Sequence, residues 1–228
     1  MTGRLSTTIG FARLSGLATR VSSVAMTSLP PPPSAGARLA RLKPETTALM
    51  ICDIQERFRD VIHKFPAVVS GSRRMGEAAK MLSIPTIVTE QYPKGLGHTV
   101  AEFDATGAMV VEKTKFSMCI DPVIDVLKAR AGLTDVVVCG IEAHVCVQQS
   151  TLDLIEMGYN VHLCVDAVSS SDVTHRSAGI HRCAGAGAYI TTTESVLFEL
   201  MRSKDHPSFK PISGLVKDFR PEDPLVGF

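Results

Sequence analysis

From residue 46 to residue 203, short unbroken apolar runs alternate with stretches of helical period, and few folds accept that pattern. The runs at 46–54, 85–91, 108–114, 135–141, 160–168 and 188–193 read as six strands. Between and after them, 65–84, 122–133, 144–158, 172–187 and 194–203 carry apolar residues at helical spacing. A strand that is apolar at nearly every position must be covered on both faces, so the sheet is mainly parallel and its crossovers are helices. Right-handed crossovers then give a doubly wound, three-layer α/β/α sandwich. In such a sheet the ligand crevice lies beyond the carboxyl ends of the strands, at the point where the winding reverses.

The polar residues at those strand ends are the next place to look. Strand one ends at Asp53 and Gln55, and strand two at Glu90, Gln91 and Tyr92. Strand three ends in Lys113 and Lys115; strand four runs into Glu142, His144 and Cys146; strand five ends at Asp166. Taken singly, each has a structural reading beside a chemical one. Asp53 is a loop cap or a carboxylate that the site needs, since burying one without a partner is costly. Lys113 either extends to solvent or is held by a negative group. Cys146 is a small core residue or a nucleophile in the first turn of a helix, where unpaired N–H groups favour a thiolate. Together they supply a base, an electrostatic stabiliser and a nucleophile, with the backbone N–H groups of Glu142 and Cys146 placed to receive an oxyanion.

Composition excludes other classes. The 228 residues carry a net charge of +1, which gives no footprint for nucleic acid, and no apolar run reaches membrane-spanning length. None of the six cysteines forms a C-x-x-C pair or a zinc spacing with histidine, and Cys52, Cys139 and Cys164 sit inside strand runs as small hydrophobes. Free thiols in a reducing compartment follow. Residues 1–44 hold six basic residues and no acid, with abundant Ser and Thr, followed by a Pro-rich linker. That composition is expected of a transit peptide to the mitochondrial matrix; the other reading is a basic tail with no address. An internal start at Met26 would give a cytoplasmic form. The domain is then 45–228, with a tail from about 206 that either wraps a partner subunit or packs on its own domain.

The motifs "CDIQERF", "VVEKTKFS" and "GIEAHVCV", with Asp53, Lys113 and Cys146, resemble the isochorismatase-like cysteine hydrolases, a superfamily that includes nicotinamidases and N-carbamoylsarcosine amidohydrolases. The likeness runs over about 45–205. "TEQYPKGLG", "KTKFSM" and "DHPSFKPI" resemble in particular its animal isochorismatase domain-containing branch. The resemblance implies an Asp53–Lys113–Cys146 triad, with Lys113 rather than Lys115, and a cis peptide at Ile141–Glu142 that turns the Glu142 N–H to the oxyanion. It also implies a homo-oligomer. Metal-dependent relatives carry D-x-H-P-x-x-H after strand two; here that place reads "TEQYPKGLGHTV", with His98 alone, so no metal and no cofactor are expected. Isochorismatases proper commonly lack the cysteine, so Cys146 points instead to a small-molecule amide, ureido or carbamoyl C–N bond. Gln55, Gln91, Tyr92 and Phe116 are pocket-lining candidates, each with a structural alternative, and "YPKGLG" (92–97) is a loop at the crevice or a surface turn. A silent binding protein and a thiol redox sensor are the competing functions. The sensor wants a resolving cysteine, and none is evident beside Cys146 in the sequence.

Overall fold

The structure is a computed structural model that describes residues 39–218, 224, 225 and 227. Nearly all of the expected leader, and much of the end of the tail, lie outside the described residues. Six strands form one all-parallel sheet: β1 (Thr47–Cys52), β2 (Thr86–Gln91), β3 (Met109–Lys113), β4 (Asp135–Ile141), β5 (Asn160–Ser169) and β6 (Tyr189–Thr191). Their order is β3-β2-β1-β4-β5-β6, so the winding reverses between β1 and β4. Every residue of β1 and β4 is buried, as their unbroken apolar runs require.

Among the described residues the α-helices are α1 (Phe65–Met81), α2 (Pro93–Leu96), α3 (Asp121–Ala129), α4 (Cys146–Glu156), α5 (Val173–Ala186), α6 (Thr193–Met201) and α7 (Phe209–Asp218). Successive strand residues point to opposite faces. In β1, Leu49 and Ile51 meet α1, α6 and α7 in one core, while Ala48, Met50 and Cys52 meet α3, α4 and α5 in the other. Each fully buried aliphatic side chain contributes roughly 1.5–3 kcal/mol, and the two cores share that gain across the sheet.

The strand and helix boundaries fall close to those read from the sequence, with two additions. Part of "YPKGLG" is the short helix α2. The tail forms α7, whose Ile212 and Val216 pack into the core with α1 and α6. Beyond it Leu225 is buried, Lys64 donates to the Pro224 carbonyl at 2.9 Å, and Arg176 donates to the Gly227 carbonyl. The described part of the tail therefore packs on its own domain. No helix among the described residues is long and apolar enough to cross a membrane.

Candidate active site

Asp53 follows β1 directly and takes a left-handed backbone, with φ 51°. Aspartate tolerates that region better than most residues. The consequence is large: it breaks the alternation of the strand, so the Asp53 carboxylate lies beside Cys52 rather than on the opposite face. The Cys52 thiol donates to Asp53 Oδ2 at 3.6 Å, and the Thr89 hydroxyl donates to Oδ1 at 2.7 Å. Asp53 itself is buried, at 1% exposure.

Lys113 ends β3, two strands away from β1, and reaches back past β2. Its ammonium donates to Asp53 Oδ2 at 2.7 Å, to Gln91 Oε1 at 2.6 Å and to the Phe116 carbonyl at 2.9 Å. Three donors thus meet three acceptors with the side chain wholly shielded from solvent. Burial works against the charge on Lys113, but the acidic neighbours Cys52, Asp53 and Cys146 outweigh it and hold the ammonium above its ordinary range. Lys113 is a fixed cation at neutral pH, unsuited to act as a base. Lys115 points elsewhere, donating to the Cys119 carbonyl at 3.1 Å and to Asp153 at 3.3 Å.

Cys146 opens α4 and is 7% exposed. The chain reaches it through the switch-point turn 142–145. Gly140, near the end of β4 and at φ 114°, must be glycine: a Cβ on it would stand 2.1 Å from the Cys52 carbonyl oxygen. α5 presses on the same turn at Gly179, where a Cβ would lie 2.4 Å from the Ala143 oxygen. The Ser150 hydroxyl donates to the Cys146 carbonyl at 2.6 Å and accepts from the Met118 N–H, tying α4 to the segment after β3. The Ile141–Glu142 peptide is cis. Among the described residues, neither the Glu142 nor the Cys146 N–H has a protein acceptor. At the same mouth, His144 stacks on His175 with ring centroids 4.4 Å apart and lies 3.0 Å from the Ser170 hydroxyl.

The structure brings together Asp53, Lys113 and Cys146, and adds three groups that the sequence reading missed. Cys52 donates to Asp53 and packs in the same buried core as Cys146. The Thr89 hydroxyl and the Phe116 carbonyl complete the shell of the ion pair. Of the pocket-lining candidates, Gln55 is fully buried, and its amide is consumed by the backbone: it donates to the carbonyls of Gln91 and Gly97 and accepts from the Gln91 N–H. It fixes the loop after β2 instead of facing a ligand. Gln91 holds Lys113 and donates to the Thr114 carbonyl at 2.9 Å. Tyr92 and the Phe116 side chain are about half exposed at the rim. Asp166 is not part of the site; it caps α6, accepting from the N–H and the hydroxyl of Thr193.

Where metal-dependent relatives place ligands, Glu90 and His98 are occupied with each other and with the backbone. His98 Nδ1 lies 2.9 Å from Glu90 Oε2, and the Thr99 N–H donates to Oε1 at 2.6 Å. Among the described residues no group of three His, Cys, Asp or Glu is arranged to hold a metal ion. The donor set does not fit the metal site of those relatives.

A parallel sheet wound both ways from β1 and β4, with acid, amine and thiol gathered at its carboxyl edge, defines a hydrolase-type α/β protein of the isochorismatase fold. The isochorismatase domain matches residues 47–195, and the chain belongs to that family. It is 46% identical over 189 residues to isochorismatase domain-containing protein 1 of Danio rerio, covering 82% of this chain and 67% of the relative. Isochorismatase domain-containing protein 2 of Bos taurus is 42% identical, covering 83% and 92%. Among solved structures, the MAR1 ribonuclease of Caenorhabditis elegans superposes with a TM-score of 0.77 at 48% identity, covering 83% of this chain and 98% of that one.

Proposed function

We propose that the chain hydrolyses a C–N bond in a small amide, ureido or carbamoyl compound, with Cys146 as nucleophile, Asp53 as general base and acid, and Lys113 as a fixed cation. One observation carries the reading: a wholly buried Lys113–Asp53 pair has the thiol that opens α4 as a close electrostatic neighbour. Asp53 takes the proton of Cys146, and the thiolate attacks the substrate carbonyl. The oxygen that gains charge is received by the Glu142 and Cys146 N–H groups. As the C–N bond breaks, the proton on Asp53 passes to the leaving nitrogen, and a thioester remains. Water, deprotonated by Asp53, then attacks the thioester and frees Cys146. Lys113 keeps Asp53 oriented and offsets negative charge throughout. No step requires a metal or cofactor.

Incubation with panels of primary amides, ureido acids and carbamoyl compounds, read by intact-protein mass spectrometry after acid quench, tests the mechanism. A mass adduct is expected on the wild type and none on Cys146→Ala. Adducts equal on both proteins, or on neither, would sink the reading. The nematode relative's name raises a second reading, hydrolysis of RNA. Phosphodiester cleavage calls for a cation free to meet the phosphate, and Lys113 is already met by three oxygens. A labelled RNA oligonucleotide belongs in the same panel; cleavage unchanged in Cys146→Ala would favour that reading over ours. Two further proposals concern the whole chain: residues 1–44 address it to the mitochondrial matrix, and it works as a homo-oligomer.

A further inference from the structure

Cys52 is the residue at the site that the hydrolytic cycle does not use. It is fully buried, with 0% exposure, whereas Cys146 beside it keeps a small opening to solvent at 7%. The Cys146 thiol is an electrostatic neighbour of Cys52, whose S–H donates to Asp53 Oδ2 at 3.6 Å. Both belong to the same core between the sheet and α3, α4 and α5. The other four cysteines are also buried and free, but engaged elsewhere. Cys139 and Cys164 both lie in the opposite core. Cys119 donates to the Ser150 carbonyl at 3.9 Å, and Cys183 is on the buried face of α5.

From this arrangement we infer that Cys52 is a resolving thiol, and that hydroperoxides convert the site reversibly to a Cys52–Cys146 disulfide. The Cys146 sulfur attacks the distal oxygen of the hydroperoxide; the O–O bond breaks, water or an alcohol leaves, and Cys146 becomes a sulfenic acid. The Cys52 sulfur then attacks that sulfur, and its proton passes through Asp53 to the departing hydroxide as water. Two thiols lose two electrons in all, and the peroxide gains them. A dithiol reductant reverses the change by exchange. Burial, the neighbouring Cys146 thiol and the Asp53 charge hold the Cys52 thiol well above its ordinary range, so it stays protonated. Cys52 has no surface of its own, so an oxidant meets Cys146 first. A sulfenic acid formed there already has its partner as a neighbour, and the disulfide shields it from irreversible sulfinic acid.

The inference rests on Cys146 being a reactive thiol, as the proposed hydrolysis also does, but not on hydrolysis itself. The test treats the reduced full chain with hydrogen peroxide, with and without dimedone, and maps the products by non-reducing peptide mass spectrometry. In the wild type a peptide linked through Cys52 and Cys146 is expected, with iodoacetamide labelling of Cys146 lost and then restored by dithiothreitol. In Cys52→Ala the linked peptide is absent, the dimedone adduct on Cys146 rises several-fold, and labelling is not restored. Equal dimedone adducts in both proteins without a linked peptide, or Cys146 linked to a different cysteine, would overturn the inference. Should Cys52→Ala not fold, the linked peptide in the wild type decides alone. Labelling of Cys146 before oxidation separates the two readings. If it labels but does not link, only the disulfide fails; if it does not label, both fail.

Discussion

Holding a lysine ammonium out of water is costly unless its donors are met, and Lys113 has all three met by oxygen. Removing one partner of such a pair typically costs about 3–5 kcal/mol because the other charge stays behind. Lys113→Met is therefore expected to lower unfolding stability by about that much in urea titrations. Adding Asp53→Asn to Lys113→Met should recover part of the loss, so that the double variant is less damaged than the sum of the singles. Strict additivity would show that the pair is not energetically coupled. Asp53, Lys113 and Cys146 were legible because each ends or follows an apolar run and matches a motif. Cys52 was not. Alternation assigns it to the face opposite Asp53, and only the left-handed backbone of Asp53 brings the two together. No residue pattern announces that φ. Gln55 misled for the opposite reason: it stands in the motif, but its amide is spent on the loop 91–97.

At the scale of elements, the site is held by close approaches and by buried carboxylates. Gly179→Ala puts a methyl 2.4 Å from the Ala143 oxygen, and both α5 and the Cys146 turn would have to move. A loss of about 1–3 kcal/mol is expected in denaturant titrations, together with slower modification of Cys146. At the far end of β4 and β5, Asp135 accepts from the Thr134 hydroxyl at 2.7 Å and from the Asn160 amide at 3.1 Å, with His162 Nε2 also at 3.1 Å. Burial opposes its ionisation, but the bonds from His162, Thr134 and Asn160 outweigh it and hold the carboxyl below the usual range. A depressed carboxyl stabilises the folded chain fully above its unfolded value of about 3.9, and that share fades as pH falls through the lower folded value. Thermal melts of wild type and Asp135→Asn should therefore converge as pH is lowered from neutral towards 3. A gap that widened with acid would contradict the assignment. The strands and their crossover helices were readable from period and length. α7 was not, because Pro211 reads as a breaker; it stands in the first turn of α7, where its missing N–H has no helical partner to lose.

For the molecule as a whole, the sequence pattern dictated the two-sided sheet, and the sheet dictated where chemistry can sit. Strand order was inferable only as a class; the switch between β1 and β4 is what carries Cys52 and Gly140 side by side, at the edge where α4 begins with Cys146. The end of the chain contributes as well: Leu225→Ala should cost about 2 kcal/mol, the low end for a buried leucine, since its segment rests on the surface of the core. Fusion of residues 1–44 to a fluorescent protein should send it to mitochondria, while a chain begun at Met26 should remain in the cytosol. The measurement that bears most directly on the central claim is the rate of iodoacetamide modification at each cysteine at neutral pH, by peptide mass spectrometry, in wild type, Asp53→Asn and Lys113→Met. Cys146 should react well ahead of the other five in the wild type. It should slow roughly tenfold in Lys113→Met, the equivalent of about 1.4 kcal/mol in barrier. A Cys146 as inert as Cys139, or one indifferent to both substitutions, would contradict a nucleophile poised by Asp53 and Lys113.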